Sequence, residues 1–103
     1  MVKLVALFKK LSDTEAAEAF EKHYFDVHMP LVAKIPGLVK SEVAYCKGLP
    51  GMETKYHLMT EMYYENMDDL NAGMASPEGK AAGRDLMSFA KDYVEMMLGE
   101  VKK

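Results

Sequence analysis

The chain predicts an α+β fold, in which four antiparallel strands are backed on one face by helices in the order β-α-β-β-α-β. Three observations predict it. A short aliphatic run, Val2 to Phe8, leads directly into a stretch with helical apolar spacing. Two runs rich in β-branched and aromatic residues then follow each other with only a loop between them. A second helical stretch, with two start signals, precedes a last apolar run. Two split β-α-β units of this kind make the ferredoxin-like plan.

The first run is short, aliphatic and bounded by Lys9-Lys10, which fits a strand buried on both faces. Ser12 or Asp13 offers an N-cap, and Glu15 follows in the first turn. Ala16, Phe20, Tyr24, Val27 and Leu31 recur at helical spacing, so a long helix runs to about Met29. Pro30 disturbs it there, because its ring clashes with the Asp26 carbonyl and it has no N–H to give. Pro36-Gly37 closes the element as a turn. Leu38 to Cys46 reads as the second strand, residues 47–54 as a loop and Tyr56 to Glu65 as the third strand. Asn66 caps a helix whose first turn holds Asp68 and Asp69, where the helix dipole favours them. Ser76-Pro77-Glu78 restarts a helix with Ala82, Leu86, Phe89 and Ala90 on one face. Val94 to Val101 is the fourth strand.

The third strand would place Tyr56, Leu58, Thr60, Met62 and Tyr64 on one face and His57, Met59, Glu61, Tyr63 and Glu65 on the other. Two helices cover only one face of such a sheet. Met59 and Tyr63 on the uncovered side, with the apolar first strand beside them, predict a homodimer.

Composition narrows the function. The 103 residues are half hydrophobic and 28 % charged, as expected of one globular domain spanning 1–103. With 13 basic and 16 acidic residues and no basic stripe, a nucleic-acid partner is not expected. No apolar run approaches the roughly 20 residues that span a bilayer, so no membrane partner is expected either. The N-terminus is too short for a signal peptide and carries its lysines on the wrong side. The single cysteine, Cys46, excludes an intrachain disulfide and fits a reducing cytoplasm; its apolar neighbours point to a buried, inert thiol. No zinc-like spacing, phosphate loop, nucleophile elbow or nucleotide fingerprint is present, so neither metal nor cofactor is expected.

The chemistry-bearing stretch is Phe20 to Leu31. His28 lies on the apolar stripe one turn after Tyr24, where a helix that only packs has no need of an imidazole. It reads either as a core histidine bonded to a backbone carbonyl or as a neutral pocket base. His23 lies five residues earlier, about 140° away on a straight α-helix, and reads as a flank residue bonding a neighbouring segment. Tyr24 reads as core, with its hydroxyl at the pocket edge. His57 and Glu61 share a strand face and read as a surface or dimer-contact pair. The ten methionines read as core filler, or as an adaptable wall around an apolar ligand.

Phe20-x2-His23-Tyr24-x3-His28-x-Pro30-Leu31 with Pro36-Gly37-Leu38, followed later by Ser76-Pro77-Glu78-Gly79 and Phe89-Ala90, resembles the EthD family of small dimeric α+β barrel proteins. The resemblance implies a homodimer whose two sheets pack into a barrel, with a pocket between sheet and helices. Relatives include lactone isomerases, and the wider group holds cofactor-free oxygenases and cyclases, some members binding haem. The resemblance implies His28, eight residues before Pro36, as the catalytic residue; Tyr24 and His23, in the same stretch, are the substrate-binding candidates. Ser41 departs from a tyrosine at the matching position of the isomerases. The expected function is cofactor-free proton transfer, of isomerase, cyclase or oxygenase type, on a small carbonyl or aromatic compound. The alternative is a non-catalytic auxiliary binder of a small apolar metabolite.

Overall fold

A computed structural model describes residues 1–102. Strand β1 (Val2–Lys9) is followed by α1 (Thr14–His23), a π-helical turn (Tyr24–His28) and α2 (Met29–Val32). Strands β2 (Lys40–Tyr45) and β3 (Tyr56–Tyr64), helices α3 (Met67–Ala75) and α4 (Pro77–Ala90), and strand β4 (Val94–Glu100) complete the chain. The sheet is antiparallel with order β2-β3-β1-β4, so the two central strands are the ones that precede the two helical segments. This is the α+β, ferredoxin-like architecture expected from the sequence.

The helix starts have identifiable causes. Asp13 accepts from the Ala16 N–H at 3.2 Å, Asn66 from the Asp69 N–H at 2.8 Å and Ser76 Oγ from the Gly79 N–H at 3.0 Å. Ser76 also donates to the Gly73 carbonyl at 2.5 Å, so one hydroxyl ends α3 and begins α4.

Helices cover the face of the sheet that carries Ala6, Phe8, Leu58, Thr60, Met62 and Tyr64, all buried. Phe8, Phe20 and Tyr24 form an aromatic group at one end, with Phe8 5.4 Å from Phe20 and 5.2 Å from Tyr24 between ring centroids. Val32, Ile35, Met62, Tyr64, Leu70 and Ala82 fill the other end. The third strand divides its side chains between the faces as its alternation predicts. The first strand does not meet its expectation in this single chain: Val5 and Leu7 on the outer face are only half-buried, because no element among the described residues reaches across that face. Pairing also begins later than expected on β2, at Lys40 rather than Leu38, with Val39 N–H donating to the Tyr63 carbonyl just ahead of it.

Candidate active site

The first helix does not stop at Pro30; it changes pitch before it. Within Tyr24–His28 the backbone bonds lengthen to the five-residue step, the Met29 N–H donating to the Tyr24 carbonyl. Proline has no N–H for the Asp26 carbonyl, so regular α pairing cannot run unbroken through this point, and the wider turn absorbs one extra residue. This overturns the 140° separation of His23 and His28, which holds only for a uniform α-helix. Residues five apart across a π-turn lie on one side, and both imidazoles meet the same carboxylate, Asp85 of α4.

His28 Nδ1 lies 3.0 Å from Asp85 Oδ2, and His23 Nε2 lies 2.8 Å from Asp85 Oδ1. Access to solvent rises along this chain: side-chain exposure is 8 % at His28, 13 % at Asp85 and 33 % at His23. The Phe89 ring packs against both imidazoles, with centroids 4.4 Å from His23 and 5.3 Å from His28. Burial pushes the His28 imidazole below its ordinary value of 6.5; the bond to Asp85 opposes that shift and the His23 charge adds to it. A carboxylate only accepts, so neutral His28 donates its Nδ1–H to Asp85 and keeps its lone pair on Nε2. Among the described residues the hydrogen bond of the His28 ring runs through Nδ1 and not Nε2, and the buried side-chain polar atom without a partner is the Tyr64 hydroxyl.

His28 lines a cavity of about 60 Å³ between the sheet and α4. The other walls are apolar or glycine: Leu4, Met62 and Met96 from the sheet, Val32 of α2, Ile35 of the loop after it, Met74 of α3, and Gly79, Ala82, Gly83 and Leu86 on α4. A smaller void of about 20 Å³ adjoins it, where Tyr24 and Thr60 join His28. The Tyr24 hydroxyl is hydrogen-bonded to Thr60 Oγ1, and burial pushes the phenol above its ordinary range, with the Thr60 bond opposing.

The three sequence-predicted site residues therefore separate by place. His28 lines both voids and Tyr24 the smaller one, whereas His23 lines neither. It borders a surface groove of about 350 Å³ instead, beside Leu11, Phe20, Phe89 and Tyr93. The segment that His23 bonds is α4, through Asp85. Tyr45 reaches Glu21 of α1, and Tyr63 lies on the outer face bonded to Glu61 at 3.3 Å. His57 and Glu61 do not pair: His57 packs on Tyr45, and Glu61 takes the Lys3 ammonium at 2.5 Å. Cys46 is half-buried, and burial raises its thiol. Met62, Met74 and Met96 prove to be cavity wall, not filler alone. Among the described residues no three His, Cys, Asp or Glu side chains are arranged to hold a metal ion, and no helix is long and apolar enough to cross a membrane.

Sequence reasoning missed Asp85. The available signal was its position on α4, three residues after Ala82 and next to Leu86, which puts a carboxylate at the margin of a buried stripe.

The fold and this cluster define a ferredoxin-like α+β protein with an imidazole–carboxylate–imidazole group behind a small apolar cavity. The EthD domain matches residues 12–92, and the chain belongs to the EthD family. An ethyl tert-butyl ether degradation (EthD) family protein from Bacillus halodurans C-125 is 44 % identical, with a TM-score of 0.90 over 99 % of each chain. An uncharacterised 11.0 kDa protein of the thcB–thcC intergenic region of Rhodococcus erythropolis is 33 % identical over 79 residues, 77 % of each chain. A dimeric protein of unknown function with ferredoxin-like fold from Bacteroides fragilis NCTC 9343 is 25 % identical, with a TM-score of 0.67 over 97 % of this chain and 95 % of that one.

Proposed function

We propose that the chain, working as one domain, is a cofactor-free proton-transfer enzyme acting on a small carbonyl or aromatic compound, with His28 as its base. The observation that carries this reading is the buried His28 imidazole, bonded to Asp85 through Nδ1 and not Nε2, beside an apolar cavity. Asp85 holds the tautomer that leaves the Nε2 lone pair free. It also stabilises the imidazolium formed when His28 takes a proton from an O–H, or from a C–H next to a carbonyl. His23 donates its Nε2–H to the other carboxylate oxygen and so helps hold Asp85 in the orientation that His28 needs. Tyr24 and Thr60 lie where a hydroxyl could meet the oxygen on which charge develops. Isomerisation, cyclisation and oxygenation of an enolate or phenolate all begin with this step.

The test is exchange of acidic hydrogens for deuterium, followed by mass spectrometry across a panel of enolisable ketones, lactones and phenols in heavy water. The wild-type protein should accelerate exchange of at least one compound, and His28→Ala should lose about 10²–10⁴-fold of that rate. Equal rates for the two proteins overturn the reading.

A second reading is favoured by the small size of the cavity, about 60 Å³. An auxiliary protein could close around an apolar metabolite without changing it, His28 serving only as the hydrogen-bond partner. Thermal stabilisation by a compound that undergoes no exchange and gives no product would establish it. For either role we infer a homodimer joined through the outer sheet face; the half-buried Val5, Leu7 and Met59 support it, and so does the dimeric state named for the Bacteroides protein. A reducing cytoplasm suits the single thiol.

A further inference from the structure

Helix α4 has two glycines one turn apart, and they are there for different reasons. Gly79 is buried where α3 and α4 touch: a Cβ there would lie 2.1 Å from the Gly73 carbonyl oxygen, so no side chain fits. At Gly83 a Cβ would meet nothing within 4 Å, and the backbone has ordinary helical conformation. Glycine is the poorest helix former after proline, and alanine would fit here without strain. Packing therefore gives no reason for Gly83.

Its position gives one. Gly83 is solvent-exposed and also lines the cavity that His28 lines, so the bare backbone forms part of the rim between water and imidazole. Met96 of β4, itself 43 % exposed, lines the same cavity from the sheet side. Among the described residues no lysine, arginine, aspartate or glutamate lines the cavity. With His28 kept neutral by its burial, an entering anion would meet no cation, which the interior penalises heavily, and a cation would lack a carboxylate. His28 Nε2 can serve one hydrogen-bond donor.

We propose that ligands enter past Gly83, between α4 and β4, and that the site selects a neutral, mostly apolar molecule presenting a single donor to His28 Nε2. The inference rests on His28 being the ligand-facing group. At about 60 Å³ the cavity is below the roughly 150 Å³ of an engineered cavity that admits benzene, so the Met62, Met74 and Met96 thioethers must yield as a ring enters. Glycine at the rim leaves that entry unobstructed at the expense of helix stability.

The experiment uses phenol and benzoate as probes on the full chain, read through the ¹⁵N resonances of His28 and through thermal unfolding. Phenol should shift His28 Nε2 in the wild-type protein, while benzoate at equal concentration should not. Gly83→Ala should raise Tm by roughly 4–8 °C, since it removes a mid-helix glycine from a domain of this size. Gly83→Leu should weaken phenol binding about tenfold or more while His28 keeps its unliganded resonance, and Gly83→Ala should weaken it less. Equal phenol affinity in all three proteins overturns the entry route, and benzoate binding as tightly as phenol overturns the selection for neutral ligands. A His28 resonance that phenol does not move in the wild-type protein overturns the reading of the site itself, a result separable from the other two.

Discussion

At the scale of single residues, the balance at His28 decides what the site can do. Burial disfavours the imidazolium, Asp85 favours it, and burial is the larger effect, so His28 lies below the ordinary value of 6.5. A base works in its neutral form, and the acid limb of a pH–rate profile should therefore fall below 6.5. Asp85→Asn removes an influence that raises the imidazole, so the limb should move further down. The same change removes a charge-assisted bond of about 1.5–3 kcal/mol from the protonated state, so the plateau rate should fall roughly 10–100-fold. A pH profile of deuterium exchange for the two proteins checks both directions together. A merely structural role for Asp85 would lower the rate without displacing the limb. His23 belongs to the same unit through the other carboxylate oxygen and is its most exposed member.

At the scale of elements, what the sequence could and could not reveal follows from the range of the interactions involved. Caps and turns are local, so Asn66, Ser76 and Pro77 could be read directly and the first cap narrowed to Ser12 or Asp13, and the alternation of β3 sorted Leu58, Thr60, Met62 and Tyr64 from their neighbours. Pro30 announced a disturbance, but spacing alone cannot distinguish a kink from a π-turn, because that depends on which side chains the flanking helices must bury. Tyr24, His28 and Val32 are all buried, and the π-turn reconciles their burial with a proline two residues past His28. The Asp85 contacts, 57 and 62 residues distant in sequence, have no local signature at all. The contact of α3 with α4 is likewise legible only in three dimensions. Gly79→Ala gains helix propensity yet places a methyl 2.1 Å from the Gly73 oxygen and 2.9 Å from Met74 Cα, both backbone atoms that cannot swing aside. It should destabilise by about 1–3 kcal/mol, the range for overpacking, whereas the same substitution one turn later stabilises. Urea unfolding of the two variants side by side measures this opposition of sign.

At the scale of the whole molecule, the unresolved demand is the outer sheet face. Antiparallel sheets commonly leave one face in water, but then the outward positions alternate to polar residues. Here the outward side chains of β1 include Val5 and Leu7. The register sets Leu7 beside Met59 and Val5 beside Met97, so the apolar positions form one patch across three strands. Lys3 and Glu61, paired at 2.5 Å on the same face, can enter an interface already matched to each other. A second copy covers such a patch by presenting the same patch in return, and two-fold symmetry closes the assembly without leaving a further face free. Sedimentation should therefore give twice the chain mass at micromolar concentration. Met59→Glu places a carboxylate in the patch beside Leu7, where a partner would have to bury it unpaired, and should yield monomer. Met59 points away from the helices, so the His28–Asp85 bond and its ¹⁵N signature should survive in that monomer if the cavity is complete within one chain. A wild-type monomer, or a Met59→Glu dimer as tight as the wild type, removes the outer face as the interface. Loss of the His28 signature together with the dimer would instead show that the partner holds the site in shape.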